Sequence, residues 1–166
     1  SAAAQLPRRQ RHPPQMSRNV SICAPIWFRR SARSSYPRLI TYTLRSTEGS
    51  TGEPAWGFER QISALDSQEV ITVTMDAEGF RPQASHLSRS NGGSEESVDA
   101  KYGSGQVDML LNTRQNIMTT QRASVPSDAR ETVTLPMLLR ALPLAKGYAT
   151  EINVFMPVAG QFERIE

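Results

Sequence analysis

The sequence predicts a mainly β domain: an antiparallel meander that forms a curved sheet or an incomplete barrel, with one short helix at about residues 135–142. Three observations carry that reading. Between Glu69 and Gln121, short segments alternate apolar and polar residues, the period of a half-buried strand. Turns containing glycine cut them at regular intervals, at Asp76–Gly79, Asn91–Gly93 and Gly103–Gly105. After a polar loop at Val125–Arg130, Leu135, Leu138, Leu139 and Leu142 recur at i, i+3, i+4 and i+7, one stripe of an amphipathic helix.

The elements follow in order. Ile40, Tyr42 and Leu44 alternate with Thr41 and Thr43 in a first strand, and Glu48–Pro54 is a loop. Trp56, Phe58 and Ile62 share one parity in a second, with Arg60 interrupting the apolar face. Ala64–Gln68 turns the chain into a third, where Ile71, Val73 and Met75 oppose Thr72 and Thr74. Asp76–Gly79 reads as a β-turn with Gly79 at positive φ. Phe80–Arg89 is a weaker strand, because Pro82 cannot donate to a ladder and belongs at an edge or a bulge. Val98, Ala100 and Tyr102 mark the next strand, Val107, Met109 and Leu111 the one after, and Asn116–Gln121 one more. The helix takes Thr134 as N-cap and Pro136 in its first turn, and Pro143 stops it. Two turns are too few to stand alone, so it must pack on the sheet. Tyr148–Met156 returns as a strand with Ile152, Val154 and Met156 on one face.

Charge divides the chain. Residues 1–45 carry nine arginines, no lysine and no acid, whereas residues 46–166 carry ten bases against sixteen acids, a net −6. Residues 1–37, rich in Arg, Pro, Ser and Ala, lack sustained periodicity and read as a disordered leader, non-native or mis-started in the bland reading. Val20–Phe28 is a poor signal-peptide core, since Pro25 breaks it and Arg29-Arg30 follow. A basic arm for nucleic acid or an anionic surface is the functional alternative for this segment. Residues 38–166 form the domain, acidic and without an electrostatic case for nucleic acid. They stop as if a partner strand were missing, the mark of truncation at the C-terminus. No apolar run reaches the ~18 residues of a membrane span.

No catalytic, cofactor or metal motif stands out. Cys23 is the sole cysteine, and His86 is the only histidine after residue 37, so no multi-cysteine or zinc set is available. His86 reads as a solvent-facing strand residue; Glu95, Glu96 and Asp99 read as the wet edge of a hairpin. Asp76–Gly79 lacks the alternating oxygen ligands of a calcium loop, and Gly103–Gly105 lacks the lysine of a phosphate loop. What remains is an apolar inventory, of which Trp56, Phe58, Met75, Met109 and Phe155 are the candidate ligand-binding residues. Methionine and aromatic side chains lining a curved sheet can repack around a lipid-like ligand; the competing reading is an ordinary filled core.

Leu135–Leu144, then Gly147-Tyr148, then Val154–Gln161 together resemble a bacterial family of domains of unknown function. In that family a short leucine-rich helix ending in Arg-x-Leu-Pro-Leu follows a β-meander. Met75–Pro82 resembles its hairpin. The resemblance covers about residues 38–166. It implies a barrel-like antiparallel fold on exported or envelope-associated proteins, similar in shape to lipoprotein-carrier half-barrels, with no established catalytic residue and no cofactor. The functional expectation is a non-enzymatic module of the bacterial envelope or periplasm that binds an apolar ligand or a partner protein. The alternatives are a purely structural accessory domain of a larger chain and a nucleic-acid binder acting through the arginine arm.

Overall fold

The computed structural model describes residues 20–25, 38–143 and 145–165. Eight strands form one antiparallel sheet in strict chain order: β1 (Val20–Pro25), β2 (Leu39–Glu48), β3 (Pro54–Ala64), β4 (Ser67–Asp76), β5 (Pro82–Asn91), β6 (Ser94–Tyr102), β7 (Gln106–Asn112) and β8 (Met118–Ser124). β1 and β8 are its two edges, so the sheet is open and not a closed barrel. A second sheet has the order β11-β10-β9, with β9 (Arg130–Glu131), β10 (Ile152–Met156) and β11 (Gln161–Ile165). A 3-10 turn (Thr132–Thr134) runs directly into the helix α1 (Leu135–Ala141).

The meander follows from the turns. Asn91 ends β5 and Ser94 begins β6, leaving Gly92 (φ +58) and Gly93 (φ +85) as a two-residue loop. Positive φ at both positions matches the right-handed strand twist, which is why glycine is required there. Pro82 sits where the β4–β5 register shifts between Thr74 and Met75, the irregularity that proline in a strand calls for.

The structure departs from the sequence reading, or adds to it, at four places. Val20–Pro25, inside the segment read as a disordered leader, pairs with β2 from Leu39 to Leu44; the rest of residues 1–37 lies outside the described residues. The left-handed residue of the β4–β5 turn is Phe80 (φ +52), not Gly79. The Asp76 carboxylate accepts the Gly79 N–H and the Asp76 N–H donates to the Arg81 carbonyl at 2.9 Å, which moves the left-handed residue one position on, to Phe80. Packing of the Phe80 ring against the core offsets the roughly 1–2 kcal/mol of that conformation. Thr134 precedes the helix but does not cap it: its hydroxyl donates back to the Glu131 carbonyl at 2.7 Å. Finally, β10 does not lack a neighbour, because Gln161–Ile165 pairs with it antiparallel and Arg130–Glu131 pairs with it in parallel.

The core lies on one face of the main sheet, in two clusters. The first joins Phe58, Ile71, Val73, Met75, Leu87 and Val98 to Val133 of the 3-10 turn, with Met137 of α1 packed against it. The second joins Ala100, Val107 and Met109 to Val125, Ala129 and Phe155. Phe155 meets Tyr102 edge-on, ring centroids 6.3 Å apart, and so ties the small sheet to the large one. Of the leucine stripe, Leu138 is buried, Leu135 and Leu142 are half-buried and Leu139 is exposed. About two turns of helix can present only a narrow face to a sheet.

Candidate functional site

Strand registry puts charge on the core face. Arg60 lies opposite Ile71, Ile71 opposite Leu87, and Leu87 opposite Val98, one row across β3–β6. The next row runs Ile62, Glu69, Arg89, Glu96. Directly opposed side chains share a face, so both rows look inward with the core. Arg60 Nη2 donates to Glu69 Oε1 at 2.6 Å. Arg89 donates to Glu69 Oε2 through Nη2 at 2.6 Å and Nε at 3.0 Å, and to Glu96 through Nη1 at 2.8 Å. Arg114 Nε closes the chain on Glu96 at 3.1 Å.

Above these rows Glu131–Val133 and Met156–Val158 form a roof, and the space between is a cleft of about 240 Å³. Ile71, Leu87, Val98, Val133, Met156 and Val158 supply its apolar wall; Arg60, Glu69, Arg89, Ser85 and Glu131 supply its polar groups. Glu131 is 4% exposed and accepts a hydrogen bond from the Tyr102 hydroxyl at 2.7 Å. Burial pushes its carboxyl up to about 7, against the opposing pull of Tyr102, Ser85 and Arg60. Burial, with the facing Glu131, also pushes the Tyr102 phenol up, so Tyr102 stays a proton donor. Arg60 Nε is buried and has no hydrogen-bond partner among the described residues.

A second cavity, of about 330 Å³, lies between Gly79-Phe80, the C-terminal half of α1 and the start of β10. Its charged groups are already engaged, Glu151 with Arg164 at 3.4 Å. Asn153 donates to both Asp128 carboxylate oxygens at 2.9–3.0 Å, and Arg130 donates to the Asp128 and Ala129 carbonyls.

The five residues singled out from sequence fill the interior instead of lining either cavity. Phe58 and Met75 belong to the first cluster with Trp56 packed against it, and Met109 and Phe155 belong to the second. Met75, Phe155 and Met109 are 0%, 1% and 2% exposed. The residues that sequence reading missed are Glu69, Arg89 and Glu131, and Arg60 was noted only as an interruption. Parity carries the signal for three of them: Glu69 shares the phase of Ile71 and Val73, Arg89 that of Leu87, and Arg60 that of Phe58. Glu96 also corrects the wet-edge reading, since it turns inward while Glu95 and Asp99 face solvent. His86 is on the outer face, 2.7 Å from Asp99.

Among the described residues no group of three or more His, Cys, Asp and Glu side chains could hold a metal ion, and no helix is long and apolar enough to cross a membrane. Comparison with curated proteins and with solved structures found no match. Residues 40–161, well over half of the chain, match the family described as protein of unknown function (DUF3108), and the chain therefore belongs to the DUF3108 family.

Proposed function

We propose that this domain is a non-enzymatic binding module of the bacterial envelope whose cleft takes a small ligand with an apolar body. The observation that carries the reading is the cleft itself, six apolar side chains facing one another above a floor of arginine and glutamate. Apolar walls with a few convergent polar groups are the usual make-up of small-molecule sites, and the volume falls somewhat below the ~300 Å³ lower bound for drug-sized ligands. Support for a non-enzymatic role comes from how the polar groups are used. Glu69 and Glu96 are each bonded by two arginines. The envelope location rests on the resemblance of Leu135–Leu144 and Val154–Gln161 to exported proteins.

Saturation-transfer NMR with octanol tests the binding role. Signal transfer to octanol from the wild type, abolished in Val158→Trp, is the expected result. Val158 is 44% exposed at the cleft, so the larger ring fills the mouth without disturbing the core. No transfer from the wild type, or transfer that Val158→Trp leaves unchanged, refutes it. Fractionation of cells expressing the full gene product tests the location: recovery in the cytoplasm contradicts it.

A second reading, an accessory domain without a ligand, is favoured by the complete burial of Met75, Met109 and Phe155, which leaves the main interior filled. The nucleic-acid reading concerns the arginine arm, most of which lies outside the described residues.

A further inference from the structure

We propose that the cleft selects anions: its ligand is a short amphiphile carrying one carboxylate or comparable acidic head, held by Arg60 and Arg89. This rests on the binding role above and adds the chemical class.

The balance of charge comes first. Arg60, Arg89 and Arg114 meet only Glu69 and Glu96 in the ion-pair chain. Arg114 and Glu96 lie outside the cleft, Arg114 at 52% exposure; within it the two cations Arg60 and Arg89 share the single paired carboxylate of Glu69. The remaining carboxyl of the cleft, Glu131, is buried against Tyr102, and burial favours its neutral form. The second observation is the unspent donor. Arg60 Nη2 is engaged by Glu69, but its Nε–H is buried without an acceptor among the described residues. Buried polar groups are seldom left unpaired, and a planar guanidinium edge suits a carboxylate. A protonated Glu131 offers a further O–H to the same head. A cationic head would instead meet Glu69, whose two oxygens already receive arginine N–H groups.

The third observation is size. At roughly 30 Å³ for each small group, about 240 Å³ takes a chain of about eight heavy atoms along Ile71, Leu87, Val98 and Val133. The mouth at Met156 and Val158 is 38% and 44% exposed, which leaves an exit for the chain's end.

The charged and titratable groups that face Glu131 are Arg60 on β3, Glu69 on β4, Arg89 on β5 and Tyr102 on β6; the Met156–Val158 segment brings none. An anion in the cleft therefore competes with ionised Glu131. Its affinity should fall as the pH rises through about 7.

Calorimetry with octanoate, octanol and octylammonium on the whole chain tests the proposal. At about pH 6 octanoate should bind about tenfold or more tighter than octanol, the worth of one charge-assisted hydrogen bond. The preference should shrink at about pH 8 in the wild type and persist there in Glu131→Gln. Arg60→Met should abolish the preference, bringing the octanoate and octanol affinities together. Should that variant misfold, Arg60→Lys keeps the charge, lacks the Nε–H and should still lower the preference. Equal affinity for octanoate and octanol, or tightest binding of octylammonium, overturns the anion assignment while leaving the cleft standing. Binding of none of the three overturns the cleft as well.

Discussion

Glu131→Gln should remove a pH dependence from the stability of this fold. Glu131 is 4% exposed, and burial raises its carboxyl from the ordinary 4.5 to about 7. Each unit of difference between folded and unfolded states corresponds to about 1.36 kcal/mol, so ionising Glu131 in the folded chain costs about 3 kcal/mol. The sign follows from proton binding. Between about pH 4.5 and 7 the folded state holds this proton more tightly than the unfolded state, so stability is full below that window and falls as the pH rises through it. Above about pH 7 the loss is complete and the profile flattens. Asp76 and Glu96 work in the opposite sense. Burial alone would raise both, but the Gly79 amide and Arg81 hold Asp76 low, and Arg89 and Arg114 hold Glu96 low. Their stabilisation is lost only at more acid pH, so the difference between variant and wild type isolates Glu131. A glutamine carbonyl still accepts from Tyr102, and its amide can donate to Ser85. The assay is urea unfolding at intervals from about pH 4.5 to 8.5. The variant should match the wild type at the acid end and exceed it by about 3 kcal/mol at the alkaline end. Parallel profiles, or a loss that is constant with pH, would refute the reasoning.

Other substitutions probe the rest of the framework. Glu69→Gln leaves Arg60 and Arg89 facing each other with their shared counter-ion gone, and should cost about 2 kcal/mol by urea unfolding, with little relief from added salt; a neutral result would show that the ion chain is solvated. Phe155→Ala removes the ring that joins the two sheets and should cost about 4 kcal/mol, with accelerated amide exchange in β10 and β11 ahead of β3–β6. His86→Ala breaks an exposed pair, with side chains 48% and 53% accessible, and should change stability by less than about 1 kcal/mol.

The sequence revealed the meander more readily than the site. Turns such as Asn91-Gly92-Gly93 are local, and period-two alternation is written into each strand, so β2–β7 could be placed from neighbours in the chain. The aromatic and Met residues read as inward from sequence, with a ligand-lined face and a filled core left as alternatives. Alternation tells which face a residue occupies; it does not tell whether another element then covers it. Met75 is sealed by the 3-10 turn and α1, and Met109 by Phe155. The cleft depends on contacts distant in sequence. Glu131 reaches Tyr102 across 29 positions, and the roof exists because two-residue β9 pairs in parallel with β10. Such a short bridge leaves no periodic trace. Glu69, Arg89 and Glu96 run against the usual pattern, in which charged strand residues take the wet face. Three of them in core phase on adjacent strands was the available sign.

The central claim is that the space between the Arg60–Val98 row and the Met156–Val158 roof is where this domain binds. Methyl-resolved NMR during an octanoate titration measures it most directly. Saturable shifts should concentrate on Ile71, Leu87, Val98, Val133, Met156 and Val158 while Met75 and Met109 stay still. Shifts centred on Met75 and Met109, or no saturable shift at any methyl, would contradict it.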